Sequence, residues 1–144
     1  MKTELVFKKV KNFNKKNLQD INKLLLGWSG MGYQISPSYL DKFIKNSHFL
    51  VALDGESLIG MVTVVPIYKV SGVKGSIEHL FIDEKYRGKG IGKDLMSFAI
   101  DLAKKLKIET LFLTCEPNRE VANKLYQKLG FKVKDTNFYY LDLK

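Results

Sequence analysis

The chain has 144 residues, 45% hydrophobic and 27% charged, which predicts one soluble domain over residues 1–144 with a core of its own. Its single cysteine, Cys115, excludes an intrachain disulfide, and no apolar run approaches the ~20 residues that a membrane helix needs. The start of the chain lacks the apolar segment of a signal peptide, so we expect a cytoplasmic protein with no membrane partner. The net charge of +9 leaves nucleic acid open as a partner, but the basic residues are spread from Lys2 to Lys144, as on a solvated lysine-rich surface.

The spacing of apolar residues predicts alternating strands and helices along the chain. In the first half, the predicted elements are a strand over 5–10, a helix from about Lys15 to Gly27, a helix that starts at Ser36-Pro37, and strands over 48–53 and 58–65. Asp54-Gly55 is a hairpin turn signal, and Pro66 indicates a bulge or a sheet edge. In the second half they are a strand over 75–83, a helix from Ile91, a short buried strand over 110–114, a helix with Val121, Ala122, Leu125 and Leu129 inward, and a final antiparallel pair over 131–133 and 138–143.

A glycine-rich segment between the predicted strand 75–83 and the next helix indicates a phosphate site. Backbone N–H groups at the start of a helix lack intrahelical partners, and glycines let a phosphate approach them closely. The segment consists of Arg87, Gly88, Lys89, Gly90, Ile91, Gly92 and Lys93. A Walker A loop would need Ser or Thr at Asp94, and a dinucleotide fingerprint would need glycine at Lys93 or Leu95, so both are excluded.

The segment fits R-x-x-G-x-G, which resembles the pyrophosphate motif of the GNAT (Gcn5-related) N-acetyltransferases, enzymes that use acetyl-CoA. A second segment, over 117–131, resembles another signature of this family, with Ala122, Tyr126 and the ending Leu129-Gly130-Phe131. The only two arginines of the chain, Arg87 and Arg119, fall inside these two segments. The resemblance implies an α/β three-layer fold with a mixed, mostly antiparallel sheet in the order β-α-α-β-β-β-α-β-α-β-β. It also implies that the strand before the loop splays from the following strand and admits the pantetheine arm.

The resemblance and the residue chemistry together suggest two catalytic groups. Glu78 is the candidate base, because alternation places it with Leu80 and Ile82, where apolar neighbours would raise its pKa; it would act directly or through water. Alternation puts His79 on the opposite face as a structural residue. Tyr126 is the candidate acid for the leaving thiolate, since its phenol is protonated at neutral pH. The alternatives are a lysine-paired carboxylate for Glu78 and a packing role for Tyr126.

The resemblance also implies the cofactor contacts. Besides residues 87–93, they are the strand segment Leu80, Phe81 and Ile82, whose backbone would pair with pantetheine, and Asn118 near the last helix. Many members carry the asparagine one position later, where this chain has Arg119. Cys115, which ends the predicted buried strand, is expected to be a packing residue. No metal is expected.

The resemblance places the acceptor amine between the first two helices, their connecting loop and the last hairpin. Trp28, Tyr33 and Tyr139 are the candidate acceptor contacts, and the same aromatic residues could instead be core. A metabolite, an antibiotic and a protein remain open as acceptors, as does a homodimer. Two other functions are left open, a non-catalytic acyl-CoA-binding or sensor module and a basic nucleic-acid-binding domain.

Overall fold

The computed structural model describes residues 4–144, in which five strands, four α-helices and one 3-10 turn are formed. In chain order they are β1 (Leu5–Lys9), α1 (Lys15–Ser29), α2 (Pro37–Asn46), β2 (His48–Asp54), β3 (Ser57–Lys69), β4 (Gly72–Ile82), the 3-10 turn (Glu84–Tyr86), α3 (Ile91–Lys105), β5 (Thr110–Phe112) and α4 (Glu120–Lys128). Two compact units are present, residues 4–114 and Cys115–Lys144. Within the described part of the chain, no helix is long and apolar enough to span a membrane.

The first unit is built on an open sheet in the order β1-β2-β3-β4-β5, with every pair antiparallel except the parallel pair β4–β5. Helices α1 and α2 cover one face, where Ile21, Leu24 and Leu40 pack against apolar side chains of β2 and β3. Helix α3 covers the other face, where Ile91 packs against Ala52 and Ile59. The mixed, mostly antiparallel sheet between helix layers confirms the predicted fold class.

Local sequence signals account for most element boundaries in this unit. Ser36 caps α2 by accepting the N–H of Tyr39, and Pro37 stands at the start of the helix, as predicted. Gly55, at φ +59, turns the β2–β3 hairpin. Pro66 lies beyond the last residue pair between β2 and β3. The side of β3 that faces β2 is therefore a sheet edge at this point, and the missing N–H of the proline breaks no ladder bond with β2.

A β-bulge interrupts β4 next to the candidate base. Thr63 of β3 lies opposite Glu78, and Met61 lies opposite Phe81. Val62, the one residue between them on β3, therefore faces two residues of β4, His79 and Leu80. His79 absorbs the extra residue by adopting φ +54, in the left-handed region.

The bulge overturns the alternation that the sequence predicted along β4. Because an extra residue shifts the alternation by one, Glu78 shares its face with Phe81 rather than with Ile82. Ile82 instead packs with the cluster beneath α3. The prediction that His79 points to the face opposite Glu78 is also wrong, because Glu78 lies on the face that carries α1 and the ring of His79 contacts Trp28 of α1.

The short strand before the second unit differs from its prediction in length and burial. Residues 110–114 were predicted as a buried strand, but β5 ends at Phe112, whose side chain is 41% exposed. Cys115 lies outside this strand and is half-buried rather than enclosed. Only three residue pairs join β5 to β4, which is too little pairing to bury both faces of the strand.

The second unit contains α4 and a C-terminal segment without strands. Residues 131–144 were predicted to include an antiparallel pair, but the described residues 131–144 form none. Alternating apolar residues permit a strand but do not supply a ladder partner, and an isolated two-stranded hairpin is marginally stable. Val121 was predicted to point inward and is instead 85% exposed, whereas Ala122, Leu125 and Leu129 are half-buried as expected.

Candidate active site

The glycine-rich loop ends at the exposed start of α3. Gly88 and Gly90 both adopt the left-handed region, at φ +76 and +81, a conformation that side-chain-bearing residues rarely adopt. Gly90 is the N-cap residue and therefore offers no side-chain cap, and the first intrahelical bond runs from the Asp94 N–H to its carbonyl. The N–H groups of the first turn, including that of Gly92, consequently have no intrahelical acceptor, and the helix dipole favours an anion there.

Arg87 is held at the side of this loop by two contacts. Its Nε donates to the carbonyl of Ile82 at 3.1 Å, and its guanidinium lies over the ring of Phe81, 4.9 Å from the centroid. The terminal guanidinium nitrogens keep their donors for a ligand, and the ordered side chain loses little entropy on binding. Lys89 and Lys93 are exposed and add positive charge, with Lys89 Nζ 5.4 Å from the ring centroid of Tyr86. The donor set therefore fits a pyrophosphate.

Among the described residues of the first unit, nothing pairs with the β5-facing edge of β4 over the second half of the strand. The parallel ladder joins Lys74–Ser76 to Thr110–Phe112 and stops there, while β4 continues to Ile82. Leu80, Phe81 and Ile82 therefore lie on a strand edge, where backbone groups are free to pair with an extended amide-bearing chain. The end of the ladder is compatible with the splay that the resemblance implies, and the role of this edge toward pantetheine stays a prediction.

Glu78 lies on this strand immediately before the bulge and is exposed. The apolar enclosure expected for it is therefore wrong, because the bulge moves Ile82 to the other face and leaves the carboxylate open to solvent. Glu78 shares the sheet face that carries α1 and α2, so its carboxylate is available on the side where the acceptor was expected.

His79, which follows Glu78 on β4, was expected from the sequence to be a structural residue. Its ring meets Trp28 edge to face, with centroids 4.6 Å apart and an interplanar angle of 62°. Burial lowers the pKa of His79, and the negative charge of Glu78 acts in the opposite direction without cancelling the effect. The imidazole is consequently neutral near pH 7. Nothing in the sequence marks a bulge, so alternation alone could not bring these side chains to one side.

Tyr126 lies in the last turn of α4, in the second unit. Burial raises the pKa of its phenol, the electrostatic effect of Cys115 adds to the increase, and Arg119 opposes it. The hydroxyl therefore stays protonated throughout the neutral range and can stabilise a nearby thiolate by donating a hydrogen bond. Its ring packs edge to face on Phe131 at a centroid distance of 6.0 Å.

The loop before α4 is fixed by an asparagine that the sequence did not single out. Asn123 Nδ2 donates to the carbonyls of Glu116 and Arg119, at 2.9 and 2.8 Å. Asn118, the predicted cofactor contact, is exposed in the turn that these bonds hold. Its side chain is thus accessible from solvent, and its role toward a cofactor stays a prediction.

The candidate acceptor residues are accessible rather than core. Trp28 and Tyr33 are 38% and 53% exposed in the first unit, and Tyr139 is 85% exposed in the second. The alternative that these aromatic residues are buried packing is therefore excluded for all three. Trp28 is joined to the β4 bulge through His79, whereas Tyr33 lies in the α1–α2 connection.

Comparisons with known proteins agree with these features. The chain matches the model of the acetyltransferase (GNAT) family over residues 18–131. It is 33% identical to N-alpha-acetyltransferase 30 of Schizosaccharomyces pombe over 64% of this chain and 63% of that protein. It is 35% identical to the spermine/spermidine N(1)-acetyltransferase of Bacillus subtilis over 50% of this chain and 49% of that one. The matched region thus spans less than two thirds of either relative.

Solved structures show the same fold. An aminoglycoside acetyltransferase from an uncultured soil metagenomic sample superposes with a TM-score of 0.83, covering 97% of each chain at 19% sequence identity. At that identity the likeness concerns the fold alone. The family model covers most of the chain, including the loop over Arg87–Lys93 and the ending Leu129-Gly130-Phe131. The chain belongs to the GNAT family of acetyltransferases.

Proposed function

We propose that this protein transfers an acetyl group from acetyl-CoA to a primary amine by direct attack in a ternary complex. The observation that carries the proposal is the continuity of two features in one unit. The unpaired edge of β4 leads into the loop at Arg87, and this loop leads into the uncapped start of α3 at Gly90. Acetyl-CoA carries amides along its pantetheine arm, and this arm ends in a pyrophosphate. Its groups therefore match, in order, the backbone of the strand edge and the donors of the loop and helix start.

In this reaction the bound amine attacks the thioester carbon, and the thioester oxygen becomes an oxyanion. Backbone N–H groups on the free edge of β4 supply donors for that oxygen. Glu78 supplies negative charge that attracts the ammonium form of the acceptor and assists its loss of a proton, directly or through water. The family resemblance assigns Tyr126 as the acid for the departing thiolate, and a phenol whose pKa is raised carries the proton that this role needs.

The acceptor is best sought first among peptide amino termini. The two relatives named above are an N-alpha-acetyltransferase and a spermine/spermidine N(1)-acetyltransferase, so alpha-amines and polyamines are both candidates here. A net charge of +9 repels a polyamine more strongly than a singly charged amino terminus, an effect that salt screens, so peptides come first. Exposed aromatic residues at Trp28 and Tyr33 offer apolar contacts that suit the side chains of a peptide.

The proposal is tested by acetyl-CoA consumption with a panel of peptides of varied first residue, polyamines and aminoglycosides. Thermal shift with acetyl-CoA, ATP and NAD runs in parallel. A ligand at about 100 times its dissociation constant adds ~2.7 kcal/mol to the free energy of unfolding, so acetyl-CoA raises Tm clearly while ATP and NAD do not. Stabilisation without turnover of any amine supports the acyl-CoA-binding module instead, and no stabilisation contradicts both functions.

A further inference from the structure

His79 occupies a backbone conformation that costs strain. A non-glycine residue at φ +54 is uncommon, and such residues persist where the surrounding structure holds them in place. A glycine would satisfy the same bulge without this cost. The bulge therefore does not explain why a histidine, rather than a glycine, occupies this position.

The imidazole of His79 is oriented by Trp28. The edge-to-face contact at 4.6 Å fixes the ring against the end of α1. Gly27, the residue before this indole, packs so closely on β4 that an added Cβ would lie 2.8 Å from the ring of Phe81. The end of α1 therefore packs directly on β4 just after the bulge, and the contact with Trp28 is what orients the exposed imidazole.

The charge that acts on His79 comes from its neighbour on β4. Glu78 precedes it directly, lies on the sheet face that carries α1, and favours the protonated form of the imidazole. Its carboxylate is therefore placed to stabilise a cation that forms on the imidazole.

We propose that His79, in place of Glu78, is the catalytic base of this reaction: its imidazole accepts the proton that the acceptor amine loses, while Glu78 stabilises the imidazolium. This inference rests on the proposed acetyl transfer. The amine nitrogen forms a bond to the thioester carbon, the carbon–sulfur bond breaks, and the electron pair leaves with the coenzyme A sulfur. The amine proton passes to the imidazole nitrogen and then to solvent. A neutral imidazole suits this transfer better than the neighbouring carboxylate, because the pKa of histidine lies nearer to the working pH. Both side chains are exposed and therefore accessible to an acceptor.

Three variants test the assignment in steady-state assays of the full chain with its best amine. His79→Asn tolerates the left-handed backbone but carries no group that accepts a proton at neutral pH. His79→Gly fits the bulge and opens space for free imidazole as an external base. His48→Asn is the matched control, since His48 is the other histidine of the chain and lies on β2 beside Lys9.

We expect His79→Asn to lower kcat by on the order of 10²–10⁴-fold with an unchanged KM for acetyl-CoA, the usual range for loss of a general base. Added imidazole is expected to restore part of the rate to His79→Gly, and His48→Asn should retain the parental rate. Parental kcat in His79→Asn overturns the inference, as does an imidazole-independent rate in His79→Gly. In either case an active parent leaves the acetyltransferase proposal standing, whereas a parent without turnover overturns both.

Discussion

Phe131 donates its backbone N–H to the carbonyl of Tyr126 at 3.0 Å, and the two side chains meet edge to face across the same turn. The N–H of Gly130 donates to Gln127 at 3.0 Å, which completes a Schellman motif with glycine at φ +97. The motif ties the end of α4 to the ring of Tyr126. The ending Leu129-Gly130-Phe131 therefore holds the ring of Tyr126 in place through this turn.

Replacing Tyr126 by Phe should lower kcat while leaving the melting temperature close to that of the parent. The substitution removes the hydroxyl and keeps the ring contact with Phe131, so the Schellman motif survives. Loss of a general acid typically costs about 10²–10⁴-fold in rate. Kinetics and thermal unfolding on one preparation decide the matter, and a normal kcat with a lowered Tm would make Tyr126 a packing residue.

Gly130→Ala should destabilise the protein by about 1–2 kcal/mol, because an L-residue with a side chain is strained at φ +97. Gly32→Ala is the control, since Gly32 lies in an open loop where an added Cβ meets nothing within 4 Å. Chemical denaturation of both variants measures the difference. Equal stabilities would show that the turn after α4 does not depend on the left-handed glycine.

Gly92→Ala should separate ligand binding from folding in the phosphate loop. Gly92 lies in the first turn of α3, and alanine is a better helix former than glycine, so the variant should be at least as stable as the parent. The added methyl group should nevertheless weaken acetyl-CoA binding by crowding the backbone donors. Ser97→Ala in the same helix is the control, and calorimetry checks both; unchanged affinity would remove Gly92 from the site.

Arg87→Ala should weaken acetyl-CoA binding by about 1.5–3 kcal/mol, the range for a hydrogen bond to a charged group. Arg87→Lys should recover only part of this, because the stacking on Phe81 and the fork of donors depend on the guanidinium. Titration calorimetry on both variants provides the comparison. An alanine variant with parental affinity would place the pyrophosphate elsewhere.

Acidification below pH 6.5 should destabilise the protein through both histidines. Burial lowers the pKa of His79 and of His48, so below 6.5 the unfolded chain binds more protons than the folded one and stability falls as pH falls. In the double variant His79→Asn/His48→Asn, the loss of Tm between pH 7.5 and pH 5 should be smaller. If the double variant loses as much Tm as the parent between pH 7.5 and pH 5, the protonation of carboxylates rather than of histidines causes the loss of stability.

The sequence, with its resemblance to the GNAT family, was sufficient to predict the fold class and most element boundaries, and it located the glycine-rich loop before α3. Local signals sufficed where the physics is local, as in the cap formed by Ser36 and Pro37, the turn at Gly55 and the glycines of the loop before α3. The Arg87 motif could be read from the chain because its donors come from consecutive residues. The end of α4 could likewise be read from Leu129-Gly130-Phe131.

Only the tertiary structure decided which side chains meet at β4. The bulge at His79 depends on how β3 and β4 align over their whole length, and it reverses the alternation on which the placement of Glu78 relied. The contact between Trp28 and His79 joins residues far apart in the chain. Strand pairing at residues 131–144 failed as a prediction for the same reason, because a ladder is a property of two segments and neither segment encodes its partner.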